Sequence, residues 1–296
     1  MPNVKLKNHL HLHFLVFIAG FTGILGELIT IKAIPLVWIR MIIATIIIFI
    51  YIIFSKTKIK ITPKKLIKLS FAGVIIALHW ITFFGSIDAS NVSIALTMFS
   101  TGAFFASFLE PLIYKRKIIW QEILLGLIVV IGVLIITQSE IKYLTGIVLG
   151  IFSAFFASMF AVLNGKFLEQ HSATTISFYE FISGVVFISI FMFIIGIDFE
   201  KEVFVVTRMD MIYLFILGSV CTAYAFIAAV KVMRHISPYT VVLTFNLEPI
   251  YGIILAILII PEKEKMSFPF YFGAAIIITA VILNGIFKNS RKLKRK

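Results

Sequence analysis

The sequence predicts an all-α integral membrane protein in which ten transmembrane helices form two inverted five-helix repeats. Three observations lead to this fold class: the composition, the length of the apolar blocks and an internal repeat. Of the 296 residues, 60% are hydrophobic and only 14% are charged, whereas soluble domains carry about 25% charged residues. A helix needs about 20 apolar residues to cross a bilayer, so ten helices occupy most of the chain. The remaining length suits short loops and tails, and it excludes a soluble catalytic or regulatory domain.

Ten long apolar blocks mark the predicted helices. The blocks are too long and too uniformly apolar for barrel strands, and a helix satisfies its own backbone hydrogen bonds in lipid. A turn that holds Lys, Asp, Asn, Ser or Pro separates each block from the next, as expected for aqueous or interfacial loops. In chain order the predicted helices cover residues 14–33, 34–54, 67–87, 91–113, 119–137, 144–163, 175–196, 211–230, 238–260 and 268–287.

The distribution of Lys and Arg predicts that both termini face the cytoplasm. With the N-terminus placed inside, the inner loops and tails hold 20 of these residues and the outer loops hold 6, while Arg40 lies within a helix. Cytoplasmic loops of membrane proteins are enriched in Lys and Arg, so this ratio sets the orientation. The same enrichment accounts for the net charge of +13 without nucleic-acid binding. We therefore expect a multi-pass protein of the cell membrane whose surroundings are the lipid bilayer.

The chain repeats itself at an offset of 147 residues. Identical residues coincide in an unbroken register through a loop: Ser90 and Ser237, Leu96 and Leu243, Thr97 and Thr244, Gly126 and Gly273. Each unit holds five predicted helices, and an odd number of crossings makes two directly joined copies point in opposite directions. The first repeat is assigned to residues 1–138 and the second, with the basic tail, to 139–296. Inverted repeats recur in secondary transporters, whose binding site lies near the midplane between the halves.

Three runs of sequence carry a family resemblance: PLVWIRMIIA at 35–44, HWITFFGSIDASNVSIAL at 79–96, and ISPYTVVLTFNLEPIYGIILAILI at 236–259. Together they resemble the drug/metabolite transporter superfamily, and in particular its EamA-type ten-helix permeases. The resemblance implies a secondary transporter that moves a small organic metabolite, such as an amino acid, by alternating access, with net export as the usual direction. The first half departs from the pattern, because Thr101-Gly102 stands where the second half has Glu248-Pro249.

Glu248 is the sharpest candidate for a functional residue. A charged side chain in the bilayer costs about 2.5–3.5 kcal/mol on insertion scales, so it needs a partner or a purpose. The following Pro249 lacks a backbone donor and crowds the preceding turn, which frees a carbonyl group beside the carboxyl group. Two interpretations remain open: Glu248 lines a polar cavity and exchanges protons, or it packs the bundle in a protonated or side-chain-paired form.

Glu27 and Arg40 are predicted to form an ion pair. Both lie about six residues from the outer ends of the first two predicted helices, which places them ~9 Å below the outer surface at 1.5 Å per residue. This pair either locks the outer half of the bundle or acts as a gate or substrate contact.

Further polar and aromatic side chains lie on the apolar helices. His79 and Trp80 are adjacent, so they point to different faces, and a lone buried His is commonly a hydrogen-bonded packing residue. A few hydrogen-bonding groups among aromatic rings suit a small organic ligand. The candidate residues for substrate binding and translocation are Glu248, Asn246, His79, Trp80, Thr97, Thr101, Tyr179 and Tyr224; Glu180 and Tyr251 are further polar tips.

The sequence offers no cofactor or metal motif. His9, His11 and His13 are spaced by two without a carboxylate or Cys, and Cys221 is the sole cysteine. No HExxH motif, nucleophile elbow or phosphate-binding loop is present. Because no nucleotide-binding motif is present, we expect a non-enzyme that is driven by the substrate gradient or by protons. Two joined repeats remove the need for a dimer, so a monomer is plausible. The alternative class is a membrane-embedded enzyme that acts on a lipid or lipid-linked substrate through His79 and Glu248.

Overall fold

The computed structural model describes residues 2–115, 117–233, 244–245 and 247–293. The regular structure of these residues is helical, without strands. The helices are α1 (Pro2–Leu28), α2 (Ala33–Ser55), α3 (Pro63–Asp88), α4 (Val92–Phe99), α5 (Gly102–Tyr114), α6 (Trp120–Ser139), α7 (Leu144–Phe167), α8 (Ala173–Ile194), α9 (Arg208–Gly218), α10 (Ala225–Met233), α11 (Glu248–Ile259) and α12 (Phe268–Leu293).

Eight stretches of the described residues are long and apolar enough to cross a membrane: Leu6–Leu28, Ala33–Ser55, Pro63–Asp88, Val92–Tyr114, Trp120–Ser139, Ile141–Phe167, Ala173–Ile194 and Arg208–Ala229. Two shorter apolar helices, Glu248–Ile259 and Phe268–Asn284, follow them. Large apolar side chains such as Phe54 and Phe193 are more than four-fifths exposed on the outside of the bundle. Such a surface is costly in water and suits lipid, so the chain is a multi-pass membrane protein.

The predicted helix at 91–113 is broken in the structure. α4 ends at Phe99 and α5 begins at Gly102. Between them, the Ser100 hydroxyl donates to the carbonyl of Leu96 at 3.0 Å, and the Thr101 hydroxyl donates to that of Met98 at 2.6 Å. Side chains that bond to their own preceding turn compete with the helical ladder, which accounts for the break.

Other predicted boundaries also move. The first helix begins earlier than expected and ends at Leu28, five residues before the predicted end. The predicted helix at 211–230 contains a π-helical turn over Ser219–Tyr224, where the Thr222 hydroxyl donates to the carbonyl of Leu217. Most of the first half of the predicted helix at 238–260, with the Ser-Pro motif and Asn246, lies outside the described residues.

Small residues set the closest helix crossings. A Cβ atom at Gly20 of α1 would lie 2.9 Å from the amide nitrogen of Gly252 in α11, so these two backbones touch. A Cβ atom at Gly73 of α3 would collide with the backbone of Glu180 in α8. Because α3 also packs against α7, it lies inside the bundle and carries the buried side chains of the site described next.

Candidate functional site

A buried arginine is the centre of the candidate site. Arg40 of α2 is 2% exposed, and its Nε donates to the hydroxyl of Thr222 at 2.7 Å. Its guanidinium carbon lies 4.1 Å from the centroid of the Trp80 ring and 5.5 Å from that of Phe84. Its Nη1 atom is buried and has no hydrogen-bond partner among the described residues. A guanidinium with a free donor inside an apolar bundle is ready to bind an acceptor oxygen.

Glu248 supplies the opposite charge. It is the first residue of α11 and is half-buried. The structure shows no salt bridge between its carboxyl group and the guanidinium of Arg40, but the two groups are close enough to interact electrostatically. The close crossing of α1 and α11 at Gly20 and Gly252 holds this end of α11 against the bundle. The structure therefore brings Arg40, Trp80 and Glu248 into one neighbourhood.

Sequence reasoning missed Thr222 as a member of the site. Its hydroxyl accepts from Arg40 and donates to the carbonyl of Leu217, so both of its hydrogen-bonding roles are used. The π-helical turn that contains it places this side chain toward α2. A lone Thr in an apolar helix carries no signal of this role, because π turns have no distinctive sequence pattern.

His79 lies beside this neighbourhood as a hydrogen-bonded packing residue. Its Nδ1 atom is 2.9 Å from the hydroxyl oxygen of Ser153 in α7, and its ring stacks on Phe99 with centroids 5.4 Å apart. The side chain is 8% exposed. This hydrogen bond joins His79 to α7, so the structure does not pair His79 with Glu248 as an acid and a base. A part in translocation stays a prediction.

The remaining candidates are spread over the bundle. Thr97 is fully buried, and its hydroxyl has no partner among the described residues, while Thr101 lies in the α4–α5 break. The Tyr179 hydroxyl donates to the carbonyl of Ile59 at 2.9 Å. Tyr224 is 41% exposed and is hydrogen-bonded to His11 at 2.7 Å. Asn246 lies outside the described residues.

The predicted ion pair between Glu27 and Arg40 is wrong. Glu27 instead forms a salt bridge with Lys263 at 2.5 Å, whereas Arg40 bonds to Thr222. Glu27 lies near the end of α1, next to the loop between α11 and α12 that carries Lys263. Arg40 is instead buried in the core of the bundle. The Glu27 carboxylate raises the pKa of Lys263.

Carboxylates hold together the end of the bundle that is predicted to be outside. Asp210 accepts hydrogen bonds from the amide and the hydroxyl of Thr30, both at 2.7 Å, and it also caps its own helix at Thr207. Glu264 accepts from the amides of Val92 and Ser93 at the beginning of α4. Carboxylates at helix N-termini are stabilising, so these contacts and the Glu27–Lys263 pair stabilise the packing at this end.

Comparison with known proteins now adds to the geometry. A sequence model of the EamA-like transporter family matches residues 9–138 and 144–286, nearly the whole chain. The chain belongs to the EamA-like transporter family. This family is one of transporters, and the assignment confirms the resemblance to the drug/metabolite transporter superfamily.

A curated relative of this EamA-family chain is described as an uncharacterized transporter of Clostridium kluyveri. It is 24% identical over 239 residues, which cover 77% of this chain and 74% of the relative. A crystal structure of another protein superposes with a TM-score of 0.65 at 10% sequence identity, and it covers 96% of this chain and 98% of its own. The second likeness shows the fold alone.

The described residues contain no group of three His, Cys, Asp or Glu side chains placed to hold a metal ion. A narrow crevice lies between α5, α6 and α12, away from Arg40; its lining includes Phe104, Glu122 and Asn284. The candidate site is therefore the Arg40 neighbourhood, with Trp80, Thr222 and Glu248.

Proposed function

We propose that this EamA-family protein is a secondary transporter that moves a small organic metabolite, such as an amino acid, across the cell membrane by alternating access. Net export is the direction we propose, with both termini in the cytoplasm and one chain as the working unit. The substrate gradient or protons drive the movement, and no organic cofactor takes part.

The observation that carries this proposal is the pair of opposite charges on α2 and α11. Arg40 has a free guanidinium donor over the Trp80 ring, and Glu248 lies within electrostatic range without contact. A ligand with a carboxylate and an ammonium group complements both charges: the carboxylate would accept from Arg40, and the ammonium group would donate to Glu248. The neighbouring aromatic rings suit an apolar side chain of such a ligand.

The two-repeat organisation is part of the proposal and has two supports. The family model matches the chain twice, once in each half. In the register at an offset of 147, the break at Ser100 and Thr101 corresponds to Leu247 and Glu248, where α11 begins. Discontinuous helices at equivalent positions of inverted repeats mark the binding region of many transporters. In the proposed cycle the halves rock around this region, and the carboxylate contacts at the outer end break when that end opens.

The test is counterflow in proteoliposomes that contain the purified full-length protein and an excess of unlabelled L-amino acids inside. Uptake of the corresponding radiolabelled amino acids is measured from outside. We expect uptake by the wild type, a large loss in Arg40→Met and partial recovery in Arg40→Lys, which keeps the charge but lacks the planar fork. Arg208→Met, at an exposed arginine, is the matched control and retains wild-type uptake. Absence of exchange for every amino acid tested, in protein that is folded, would contradict this substrate class.

The same proteoliposomes distinguish the transporter from a membrane-embedded enzyme. An enzyme converts its lipid or lipid-linked substrate without solute exchange, so chemical analysis of the lipids after incubation would reveal a product. We expect unchanged lipids together with counterflow. The hydrogen bond of His79 to Ser153 favours this outcome, since it leaves the predicted acid–base partnership with Glu248 unformed.

A further inference from the structure

A second buried carboxyl group lies in the bundle, apart from the Arg40 neighbourhood. Glu180 of α8 is fully buried at the crossing with α3, where Gly73 has no side chain to separate the two backbones. The next residue, Phe181, turns to the other side and lies 5.5 Å from the Trp80 ring, centroid to centroid. Glu180 and the candidate substrate site therefore flank the same stretch of α8.

The buried acceptor oxygens around Glu180 lack one hydrogen-bond donor. The Nδ2 of Asn164, from α7, donates to the Oε2 of Glu180 at 3.4 Å. The second carboxyl oxygen of Glu180, Oε1, and the amide oxygen of Asn164, Oδ1, are buried and have no hydrogen-bond partner among the described residues. Two acceptors on facing side chains cannot satisfy each other, and a buried polar atom without a partner costs free energy.

One proton supplies the missing donor. A carboxylic acid and a primary amide are complementary: the amide N–H donates to one acid oxygen, and the acid O–H donates to the amide oxygen. We propose that Glu180 and Asn164 form a proton-binding site, in which a proton taken from water forms an O–H bond on Glu180 and is shared with the Asn164 amide. The bound form is neutral, which suits a side chain that is fully buried.

No cation takes the place of this proton in the described surroundings. On α2, Arg40 donates to Thr222, and on α7, Lys166 donates to the carbonyl of Ile113. On α3, His79 is bonded to Ser153, and Lys65 lies eight residues before Gly73, about 12 Å along the helix axis. The remaining titratable groups of these helices are Tyr51, which has an interaction of its own, Tyr179, which donates to Ile59, and the exposed Lys64 and Lys68. Asp88 lies at the far end of α3 and accepts from the amide of Ala33, and the side chain of Lys231, on α10, lies outside the described part of the chain.

The loop between α2 and α3 covers the end of α8 nearest Glu180. The Tyr179 hydroxyl bonds to the carbonyl of Ile59, and the Thr175 hydroxyl bonds to that of Lys58 at 3.3 Å. This is the end of the bundle that is predicted to be cytoplasmic. Proton exchange requires these contacts to open, so the site communicates with one side of the membrane when the loop moves.

The site gives the transporter a coupling ion, and this role rests on the proposed function. Release of the proton leaves a buried anion, which is favoured only if α8 moves or water enters. Phe181 is packed against the Trp80 ring, and the Arg40 guanidinium lies on that ring. A movement of α8 would therefore displace Trp80 and change the position of Arg40. Protonation of Glu180 is therefore linked to the geometry of the substrate site.

Infrared spectroscopy of the full-length protein in lipid tests the proton site without any substrate. At neutral pH we expect the wild type to show a C=O stretching band of a protonated carboxylic acid that disappears in Glu180→Gln. The Gln amide is neutral and of similar size, so it can pair with Asn164 and preserve the fold. Glu200→Gln, at an exposed carboxyl group, is the matched control and leaves this band in place. Asn164→Ala shifts the band, because the acid O–H loses its acceptor.

Two results would overturn the proton site. In one, Glu180→Gln removes a carboxylate band, which would show an ionised side chain. In the other, replacing choline chloride by sodium chloride abolishes the acid band, which would show a sodium site instead. An intact acid band without counterflow would contradict the proposed transport function alone. Counterflow without the acid band would contradict only the proton site.

Discussion

The guanidinium of Arg40 lies against the face of the Trp80 ring, with 4.1 Å between its central carbon and the ring centroid. A desolvated cation–π contact of this kind contributes about 2 kcal/mol. Together with the hydrogen bond to Thr222, it holds a buried positive charge in a fixed position before any ligand arrives. This arrangement and the contacts at the outer end lead to four predictions, and the crossing of α3 and α8 leads to a fifth.

Trp80→Leu is expected to weaken the hold on Arg40. The variant should lower the thermal unfolding midpoint of the purified protein and raise the KM for counterflow, because the guanidinium loses its aromatic face. Trp120→Leu is the matched control, since Trp120 is 73% exposed on α6. Equal behaviour of the two variants in fluorescence-detected unfolding and in counterflow would contradict a special role for Trp80.

Thr222→Val should leave the Nε of Arg40 buried without its acceptor. An unsatisfied buried donor costs about 1–3 kcal/mol, so the thermal unfolding midpoint should fall clearly. Thr137→Val is the matched control, because the Thr137 hydroxyl bonds to the carbonyl of Val133 one turn earlier in its own helix. A midpoint for Thr222→Val that equals that of the control would argue against the bond between Arg40 and Thr222.

Glu27→Gln and Lys263→Met are each expected to loosen the outer end. Cys221 is the sole cysteine of the sequence and is 6% exposed next to the site, so it reports the opening. An impermeant maleimide added from outside should label Cys221 faster in both variants than in the wild type. Lys265→Met is the control, as Lys265 pairs with the exposed Glu262, three residues before it. Unchanged labelling would show that the Glu27–Lys263 pair does not keep this end closed.

The same pair predicts a pH dependence with a definite sign. Because Glu27 raises the pKa of Lys263, the pair contributes stability at neutral pH and loses it as the pH rises through a value above the ordinary 10.5 for lysine. Maleimide labelling is itself pH-dependent, so accessibility is followed instead by hydrogen exchange of the α11–α12 loop. Exchange there, corrected for the intrinsic rate, should increase at alkaline pH in the wild type but stay flat in Lys263→Met.

Gly73→Ala should destabilise the crossing of α3 and α8. The added Cβ atom would collide with the backbone of Glu180 and lie 3.0 Å from the Cβ of Ser183, and overpacking of this kind costs about 1–3 kcal/mol. Gly85→Ala, on the same helix, is the matched control: its Cβ atom would meet Leu149 at 3.5 Å, an ordinary contact. The thermal unfolding midpoint should fall for the first variant and hold for the second.

The site was predictable only in part. Arg40, Glu248 and Trp80 stand out in the sequence because charged and amphipathic side chains in apolar helices need a reason, and the structure brings these three together. The pairing of Glu27 was not predictable in this way, since its partner Lys263 is 236 positions away in a loop. Thr222 gave no signal, because its role depends on a π turn that redirects one side chain.

The sequence by itself determined a helical membrane protein of a transporter family, through its apolar block lengths, its low charge and its family motifs. In lipid the backbone must satisfy its own hydrogen bonds, which favours helices, and each apolar block is as long as a helix that crosses the bilayer. Which polar groups meet was decided by tertiary structure alone: Arg40 with Trp80 and Thr222, Glu180 with Asn164, and Glu27 with Lys263. The reason is that helix pairing depends on small residues such as Gly73 and on crossings between distant segments, and hydrophobic periodicity does not record which faces come into contact.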